Sequence, residues 1–253
     1  MNNKEQVSII IPVYNEDESL AVMVNILEAS IDFPHEVIIV YDDENDTSIK
    51  PAKELIEMYP NILLVHNDLG RGAQNAVIKG VEESKYDIYL IAVVDEVIPI
   101  VAIKNMLQLI SEKNCDFVSG TRYALGGKRY GGSFIGGLLS RTANNLFRWI
   151  TGLVLTDATT GFKMMRKSAW NRLSIESNPV GWAFAFELSI RAQLLGLRLG
   201  EVPVISIDRL FGGHSTFKLG PWAKEYVRWF FWGTYRLNRF NRNQSRVVTL
   251  SGE

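Results

Sequence analysis

The sequence predicts an α/β fold with an open, Rossmann-like, doubly wound and mostly parallel sheet. Apolar, β-branched runs such as VSIIIP at residues 7–12 are typical of strands that are buried on both faces. These runs alternate strictly with stretches of helical spacing through the first half of the chain. Because parallel strands need long crossover connections, this alternation favours a parallel sheet with helices on its faces.

The elements of the first half can be placed in order. Strands are predicted at residues 7–12, 36–41, 61–66, 87–94 and 116–120. Helices are predicted between them at residues 17–29, 47–59, 72–83 and 100–111. In sheets of this kind ligands bind at the carboxyl ends of the strands, so we expect the functional site there.

The second half loses this alternation. Residues 126–137 contain six glycines, with Lys128 and Arg129 among them. This segment predicts a mobile loop that could close over a ligand, and a merely flexible surface connection is the alternative. Helices are predicted at 138–151 and 183–195, and one strand over 200–207.

Composition and charge limit the class of protein. The chain has 253 residues, a net charge of −1 and a hydrophobic content of 47%, which is ordinary for a globular protein. Its single cysteine, Cys115, excludes a disulfide framework and a multi-cysteine metal site, and indicates a reducing, cytoplasmic environment. The N-terminal stretch lacks the pattern of a signal peptide, and no apolar run reaches the ~18 residues of a membrane span.

The small net charge hides an asymmetry along the chain. Residues 1–116 carry 8 basic and 21 acidic residues, whereas residues 117–253 carry 19 basic and 7 acidic residues. A basic surface that faces an anion or an anionic membrane is one interpretation. Mutual neutralisation of the two halves is the other.

Polar residues follow every predicted strand end of the first half. Helix N-termini would converge at the same edge, which favours an anionic ligand. The first strand is followed by no G-x-G-x-x-G, so a dinucleotide fingerprint is absent. The chain has no G-x-x-x-x-G-K-[ST] either, which disfavours a P-loop. The five polar segments are residues 12–16, 42–46, 67–72, 95–96 and 121–123.

Six motifs in order resemble a known family. They are VSIIIPVYNEDESL, YDDENDTS, NDLGRGAQNAVIKG, VSGTRY, DATTGFKMMRK and IDRLFGGHSTFKL. Together they resemble the inverting GT-A glycosyltransferases of family 2, in the dolichol-phosphate mannosyltransferase-like branch that transfers sugars to polyprenyl phosphates. The resemblance covers roughly residues 7–230. It implies a nucleotide-sugar donor carrying UDP or GDP, a divalent metal and a lipid-phosphate acceptor.

The resemblance also implies a donor site. It places Pro12, Tyr14 and Glu16 around the nucleoside, and Asp42 or Asp43 at the base or ribose. Arg122 would neutralise the pyrophosphate. For Tyr14 and Glu16 the alternative is an ordinary loop with a helix cap. For Asp42 and Asp43 the alternative is a solvated acidic turn that caps the following helix. The full predicted donor set is Pro12, Tyr14, Asn15, Glu16, Asp42, Asp43, Gly70, Arg71, Val93, Val94, Asp95 and Arg122.

The predicted metal site is incomplete. Family members carry an Asp-x-Asp pair after the fourth strand, and its carboxylates hold Mg²⁺ or Mn²⁺, which prefer oxygen ligands. Here Asp95 is the one acid of that pair, and Val93 or Val97 takes the place of the other. Three interpretations remain: Asp95 binds the metal weakly, basic residues replace the metal, or the domain only binds ligands. In an extended segment Glu96 would point to the side opposite Asp95, so it can contribute only if the backbone turns there.

The acceptor side is predicted from the later motifs. A lipid phosphate is already ionised, so it needs positioning and charge neutralisation rather than a strong general base. The resemblance assigns acceptor contacts to Asp157, Thr159, Thr160, Glu187 and Ser215. A surface or capping acid is the alternative for Glu187. The residues predicted to act in catalysis are Asp95, Arg122, Arg209 and Lys218.

The last helical segment is rich in aromatic and basic residues. WAKEYVRWFFWGTYRLNR, residues 222–239, predicts an amphipathic helix that lies on an anionic membrane. Packing of its aromatics on the core or on a partner subunit is the alternative. Related proteins often carry transmembrane helices after this point, whereas this sequence stops shortly after it. We therefore expect anchoring that is peripheral or through a partner.

These expectations combine into one hypothesis. A GT-A domain spans residues 1–220, with a nucleotide-sugar half at 1–123 and an acceptor half at 124–220. An interfacial helix at 221–240 and a flexible tail at 241–253 follow. The predicted function is inverting sugar transfer to a polyprenyl or dolichyl phosphate at the cytoplasmic membrane face, with a homo-oligomer or a membrane partner left open and no nucleic-acid partner. The alternative is a degenerate glycosyltransferase domain that binds a nucleotide or a protein partner.

Overall fold

The computed structural model describes residues 6–94, 98–131, 134–207, 219–239 and 247–250. The strands within these ranges are β1 (Val7–Pro12), β2 (His35–Tyr41), β3 (Ile62–His66), β4 (Ile88–Ile91), β5 (Phe117–Thr121), β6 (Lys128–Tyr130), β7 (Lys163–Arg166), β8 (Leu199–Pro203), β9 (Ile205–Ile207) and β10 (Val247–Val248). The helices are α1 (Asp17–Ser30), α2 (Ile49–Met58), α3 (Ala73–Glu82), α4 (Ile103–Ser111), α5 (Phe134–Thr151), α6 (Lys167–Trp170), α7 (Ala183–Leu194) and α8 (Leu219–Asn238).

The central sheet confirms the predicted α/β, doubly wound, mostly parallel class. Its strand order is β10-β8-β5-β7-β4-β1-β2-β3, and only β7 runs antiparallel to its neighbours among the described strands. The order reverses around β1, since the chain adds β2 and β3 on one side and later strands on the other. A small second sheet pairs β6 with β9 in parallel.

Apolar residues cover both faces of the sheet. One core cluster joins one face to α1, α2 and α4 through residues such as Leu20, Leu55 and Met106. The other joins the opposite face to α3, α5, α7 and α8 through residues such as Val77 and Trp229. Burial on both faces explains why these strands are continuous apolar runs rather than alternating ones.

Two strand boundaries differ from the sequence prediction. The strand predicted over 87–94 ends at Ile91, because the residues after it leave the ladder toward a turn at Val94. The single strand predicted over 200–207 is wrong, since it is two strands in different sheets. The break follows Pro203, which has no N–H to donate, and the N–H of Val204 instead donates to the carbonyl of Thr121 at 2.9 Å.

The glycine-rich segment contains secondary structure that was not predicted. A loop throughout residues 126–137 is wrong where the structure describes them, because β6 pairs with β9 inside the segment and α5 begins at Phe134, while its mobility stays a prediction. The predicted helix over 138–151 therefore begins four residues earlier. Within the described ranges, none of the helices combines the length with the apolarity that a membrane crossing requires.

Candidate active site

The candidate site lies at the edge where the parallel strands end. The loops after β1, β2, β3 and β5 all reach this edge, as the sequence predicts. The antiparallel strand β7 starts there, because Lys163 pairs with Ile91 at the end of β4 and with Ser119 near the end of β5. The turn that precedes β7, residues 156–160, is thereby brought beside the donor-side loops. We call it the acceptor turn.

The loops after β2 and β3 are tied together by the predicted acidic residues. Asp42 accepts hydrogen bonds from Asn67 Nδ2 and from the N–H of Gly72, both at 2.7 Å. Asp43 forms an exposed ion pair with Arg71. The pKa of Asp43 is lowered, first by hydrogen bonds from Asn45 and then by Arg71. Four predicted donor-site residues therefore lie close together, namely Asp42, Asp43, Gly70 and Arg71.

The loop after β1 is locked to the loop after β2. The N–H of Asn15 donates to Asp46 Oδ1 at 3.0 Å, and the N–H of Glu16 donates to Ser48 Oγ at 2.8 Å. Asn15 has φ 55°, the left-handed conformation that asparagine tolerates in tight turns. Tyr14 is exposed beside it. Asp46, which the sequence analysis did not assign to the site, is the buried residue that joins these two loops.

The predicted pyrophosphate residue Arg122 and the predicted acceptor residue Asp157 form one buried pair. Arg122 Nε donates to Asp157 Oδ2 at 2.7 Å, and its Nη2 donates to Asp157 Oδ1 at 3.1 Å. Burial raises the pKa of the Asp157 carboxyl, but the charge and hydrogen bonds of Arg122 outweigh burial and the pKa is lowered. A fork of this kind holds a guanidinium in one orientation.

The pair extends into the acceptor turn and α5. Arg122 Nη2 also donates to Thr159 Oγ1 at 3.2 Å. Asn144 on α5 donates to the same oxygen at 3.2 Å and accepts the N–H of Ala158 at 2.9 Å. Sequence reasoning missed Asn144, because its motif gives no signal and only the fold places α5 over the turn. Thr160 is buried, and its Oγ1 accepts the N–H of Phe162 at 3.2 Å.

A small apolar cavity adjoins this cluster. It has a volume of about 180 Å³ and lies among α5, α7 and α8. Thr159 and Asn144 form its polar end. Burial raises the pKa of Tyr226, on its wall, to about 12. The lining residues are Ala143, Asn144, Phe147, Thr159, Phe186, Tyr226, Val227 and Phe230.

The described part of the metal position is apolar. Val93 is half-buried beside Gly161. A Cβ added at Gly161 would lie 3.2 Å from Val93 Cγ2 and 2.7 Å from the Trp182 ring. Val94 is buried. Within the described ranges, no group of three or more His, Cys, Asp or Glu side chains is placed to hold a metal. Val93 and Val94 therefore offer no ligand to a divalent metal, and Asp95, the one predicted ligand, lies outside the described residues.

Glu187 is occupied inside the protein. Its carboxylate is fully buried and accepts hydrogen bonds from the N–H groups of Glu176 and Ser177 at 2.7 and 2.8 Å. Arg191 Nε donates to it at 2.6 Å. This placement makes Glu187 the anchor of the loop before α7 rather than an exposed acid. The other predicted residues Arg209, Ser215 and Lys218 lie outside the described residues.

Comparison with known proteins identifies the family. The family described as Glycosyl transferase family 2 matches residues 8–173. A dolichol-phosphate mannosyltransferase of Pyrococcus furiosus is 28% identical over 97% of this chain and 67% of its own length. An undecaprenyl-phosphate mannosyltransferase of Micrococcus luteus is 26% identical over 80% of this chain and 84% of its own length.

Solved structures share the fold. The glucosyl-3-phosphoglycerate synthase of Mycobacterium tuberculosis, crystallised with Mn²⁺, UDP and glucosyl-3-phosphoglycerate, superposes with a TM-score of 0.70. The match covers 91% of this chain and 80% of that one, at 16% identity. The same enzyme crystallised with Mg²⁺ and UDP gives a TM-score of 0.68. With the family match over residues 8–173, this chain belongs to glycosyl transferase family 2 and is a glycosyltransferase.

Proposed function

We propose that this chain transfers a sugar from a UDP- or GDP-sugar to a polyprenyl or dolichyl phosphate, with inversion at the anomeric carbon. The observation that carries the proposal is the buried cluster of Arg122, Asp157 and Thr159, which lies between the donor-side loops and an apolar cavity. The guanidinium would attract the phosphate groups of the donor and the acceptor. The apolar cavity would suit an isoprenoid chain. The named relatives use acceptors of this class, which does not favour the alternative of an inactive binding module.

The proposed transfer reaction needs neither a strong general acid nor a strong general base. An oxygen of the acceptor phosphate attacks C1 of the sugar on the face opposite the nucleotide. The bond between C1 and the diphosphate oxygen breaks, and the nucleoside diphosphate leaves with that electron pair. Because the attacking oxygen is already ionised, the protein needs to orient the two reactants and to stabilise negative charge.

Arg122 is the described residue best suited to that task. Asp157 holds its guanidinium through two hydrogen bonds, so little reorganisation is needed when charge develops nearby. On the donor side, Asp43 with Arg71 and the loop of Tyr14 and Glu16 are proposed to hold the nucleoside. Because the predicted metal ligand Asp95 lies outside the described residues, we assign no step of the transfer to a metal.

Peripheral membrane contact is the second part of the proposal. Five of the seven aromatic residues predicted to face a membrane pack inward, and only Phe231 and Tyr235 are exposed. The neighbouring helix α5 adds exposed apolar residues, among them Trp149 with 81% of its surface accessible. Exposed basic residues flank them on α8, and apolar side chains with basic neighbours are typical of interfacial helices. These basic residues are Lys224, Arg228, Arg236 and Arg239.

Donor binding is tested by thermal unfolding with UDP-, GDP- and dTDP-sugars, each with and without Mn²⁺. We expect one nucleotide family to raise the Tm, since a ligand of the native state stabilises by mass action. Arg71→Ala should weaken this shift, whereas Lys53→Ala, an exposed change on α2, should not. The absence of a shift with every donor would contradict the proposal.

A further inference from the structure

Lys163 is a fully buried lysine beneath the acceptor turn. It is the first residue of β7, and its side chain is inaccessible to solvent. Its Nζ donates to Ser119 Oγ at 3.1 Å and to Ser189 Oγ at 2.9 Å. The ring of Phe117 lies 5.4 Å from Nζ. A buried ammonium carries a large desolvation cost, so its place in the fold requires an explanation.

The two serines connect this ammonium to the acceptor turn. Ser189 Oγ donates to the carbonyl of Ala158 at 2.8 Å. Ser119 Oγ lies 3.1 Å from the carbonyl of Gly120 and 3.4 Å from the carbonyl of Asp157, so its contact with the turn is the weaker of the two. Lys163 thus reaches two consecutive carbonyls of the turn through two hydroxyls. The side chain of the first of these residues, Asp157, is the group that holds Arg122.

Three charged groups face Lys163. Asp157 on the turn and Glu201 on β8 attract its proton, and Arg122 opposes them. Burial is the largest influence and lowers the pKa of Lys163 to about 7. Its charge therefore changes within the neutral range, unlike that of an exposed lysine.

We propose that Lys163 is a positioning residue for sugar transfer, because its ammonium, acting through Ser119 and Ser189, fixes the acceptor turn and with it the orientation of Arg122. The inference rests on the proposed function. With the ammonium present, both serine hydroxyls accept from Lys163, and Ser189 is the one that donates firmly to the turn. When the proton is lost, the attraction to Asp157 is lost with it, and Arg122 becomes less firmly held.

The first test is kinetic. Lys163→Met keeps an unbranched side chain, one atom shorter, and removes the charge, and Lys167→Met on exposed α6 is the matched control. We expect Lys163→Met to lower kcat about tenfold or more at pH 6.5, as for the loss of one preorganised interaction, with the donor KM within about twofold. The wild-type kcat should fall as the pH rises through 7, and the variant should lack this fall. Wild-type kcat and pH profile in Lys163→Met would overturn the proposal.

The second test needs no substrate. The Arg122 Nε–H signal in a ¹⁵N spectrum reports the hydrogen bond to Asp157. In the wild type we expect this signal to be sharp below pH 7 and to shift as Lys163 loses its proton. In Lys163→Met it should be broadened at every pH, and an unchanged signal would overturn the proposal. If these spectra hold but no lipid product forms, the proposed function fails while the positioning role stands.

Ser189→Ala is the second variant, in case Lys163→Met does not fold. It removes one of the two hydroxyls and leaves the lysine in place. We expect a smaller loss of kcat and a partial broadening of the Arg122 signal. Full wild-type behaviour of Ser189→Ala in both measurements would contradict the connection between Lys163 and the turn.

Discussion

At the scale of single residues, the central charged groups of the site are paired with each other and largely shielded from solvent. Arg122 and Asp157 were predicted for different substrates, and the structure joins them in one buried ion pair. Their separate roles follow from the sequence motifs. Their pairing follows from the antiparallel placement of β7, which no motif specifies.

Arg122→Lys should impair transfer strongly. Lysine keeps the charge but cannot form the two-bond fork with Asp157, so the cation is no longer oriented. We expect kcat/KM to fall by about 10²-fold, as for the loss of a preorganised donor. Arg172→Lys, an exposed change, is the control, and equal activity of the two variants would contradict the role of Arg122.

Lys163 should make stability depend on pH. Its pKa is about 7 in the folded protein and 10.5 when unperturbed, so between these values the unfolded chain binds a proton that the folded chain does not. The free energy of unfolding should therefore rise with pH from 7 toward 10 through this group. Urea titrations should show a smaller rise in Lys163→Met than in Lys167→Met, and parallel curves for the two variants would count against the shifted pKa.

At the scale of elements, the predictable part is the alternating half of the chain. Residues 7–120 form β1 to β5 and their helices nearly as predicted, because each strand is an apolar run bounded by polar residues. β7 was missed because it has four residues and follows a motif that suggests a loop. Lys163 was missed for a related reason, since a charged residue in a short strand normally indicates an exposed face.

One buried acid ties α8 to the loop before α7, in addition to the apolar packing of the helix. Glu225 is buried and accepts hydrogen bonds from the N–H and Nδ2 of Asn178 at 3.0 and 2.9 Å. It also accepts from Arg228 Nη1 at 2.8 Å. Burial raises the pKa of Glu225, but these hydrogen bonds and the charge of Arg228 outweigh it and lower the pKa.

Glu225→Ala should therefore loosen α8 from the loop before α7. The N–H of Asn178 would be left without its acceptor, which costs about 1–3 kcal/mol. Urea unfolding should show this loss, whereas Lys224→Ala, an exposed neighbour on the same helix, should stay within about 0.5 kcal/mol of wild type. A similar stability for the two variants would show that α8 is held in another way.

At the scale of the whole molecule, part of the basic charge of the second half of the sequence lies on α8. The basic second half contributes α8, which carries exposed basic and apolar residues and packs against α5 through Phe230 and Phe147. The sequence indicated α8 but not α5, because the exposed face of α5 is defined only by what α7 and α8 cover. Together the two helices form the surface that we propose meets the membrane.

Trp149→Ser should weaken binding to anionic vesicles. An exposed tryptophan inserts its ring at the membrane interface, so its loss should lower the bound fraction several-fold at about 0.1 M salt, where charges are partly screened. Val101→Ser, a residue with 75% of its surface exposed elsewhere on the protein, is the control. Equal sedimentation of both variants with vesicles would place the membrane contact elsewhere.

The most direct measurement is transfer of a labelled sugar to lipid by the purified protein. The donor that raises the Tm is incubated with polyprenyl phosphate or with the matching polyprenol, and the lipid phase is counted. We predict label in the phosphorylated lipid alone, because the ionised phosphate is the attacking group. Label in neither lipid, or equal label in both, would contradict the assignment of this protein as a polyprenyl-phosphate glycosyltransferase.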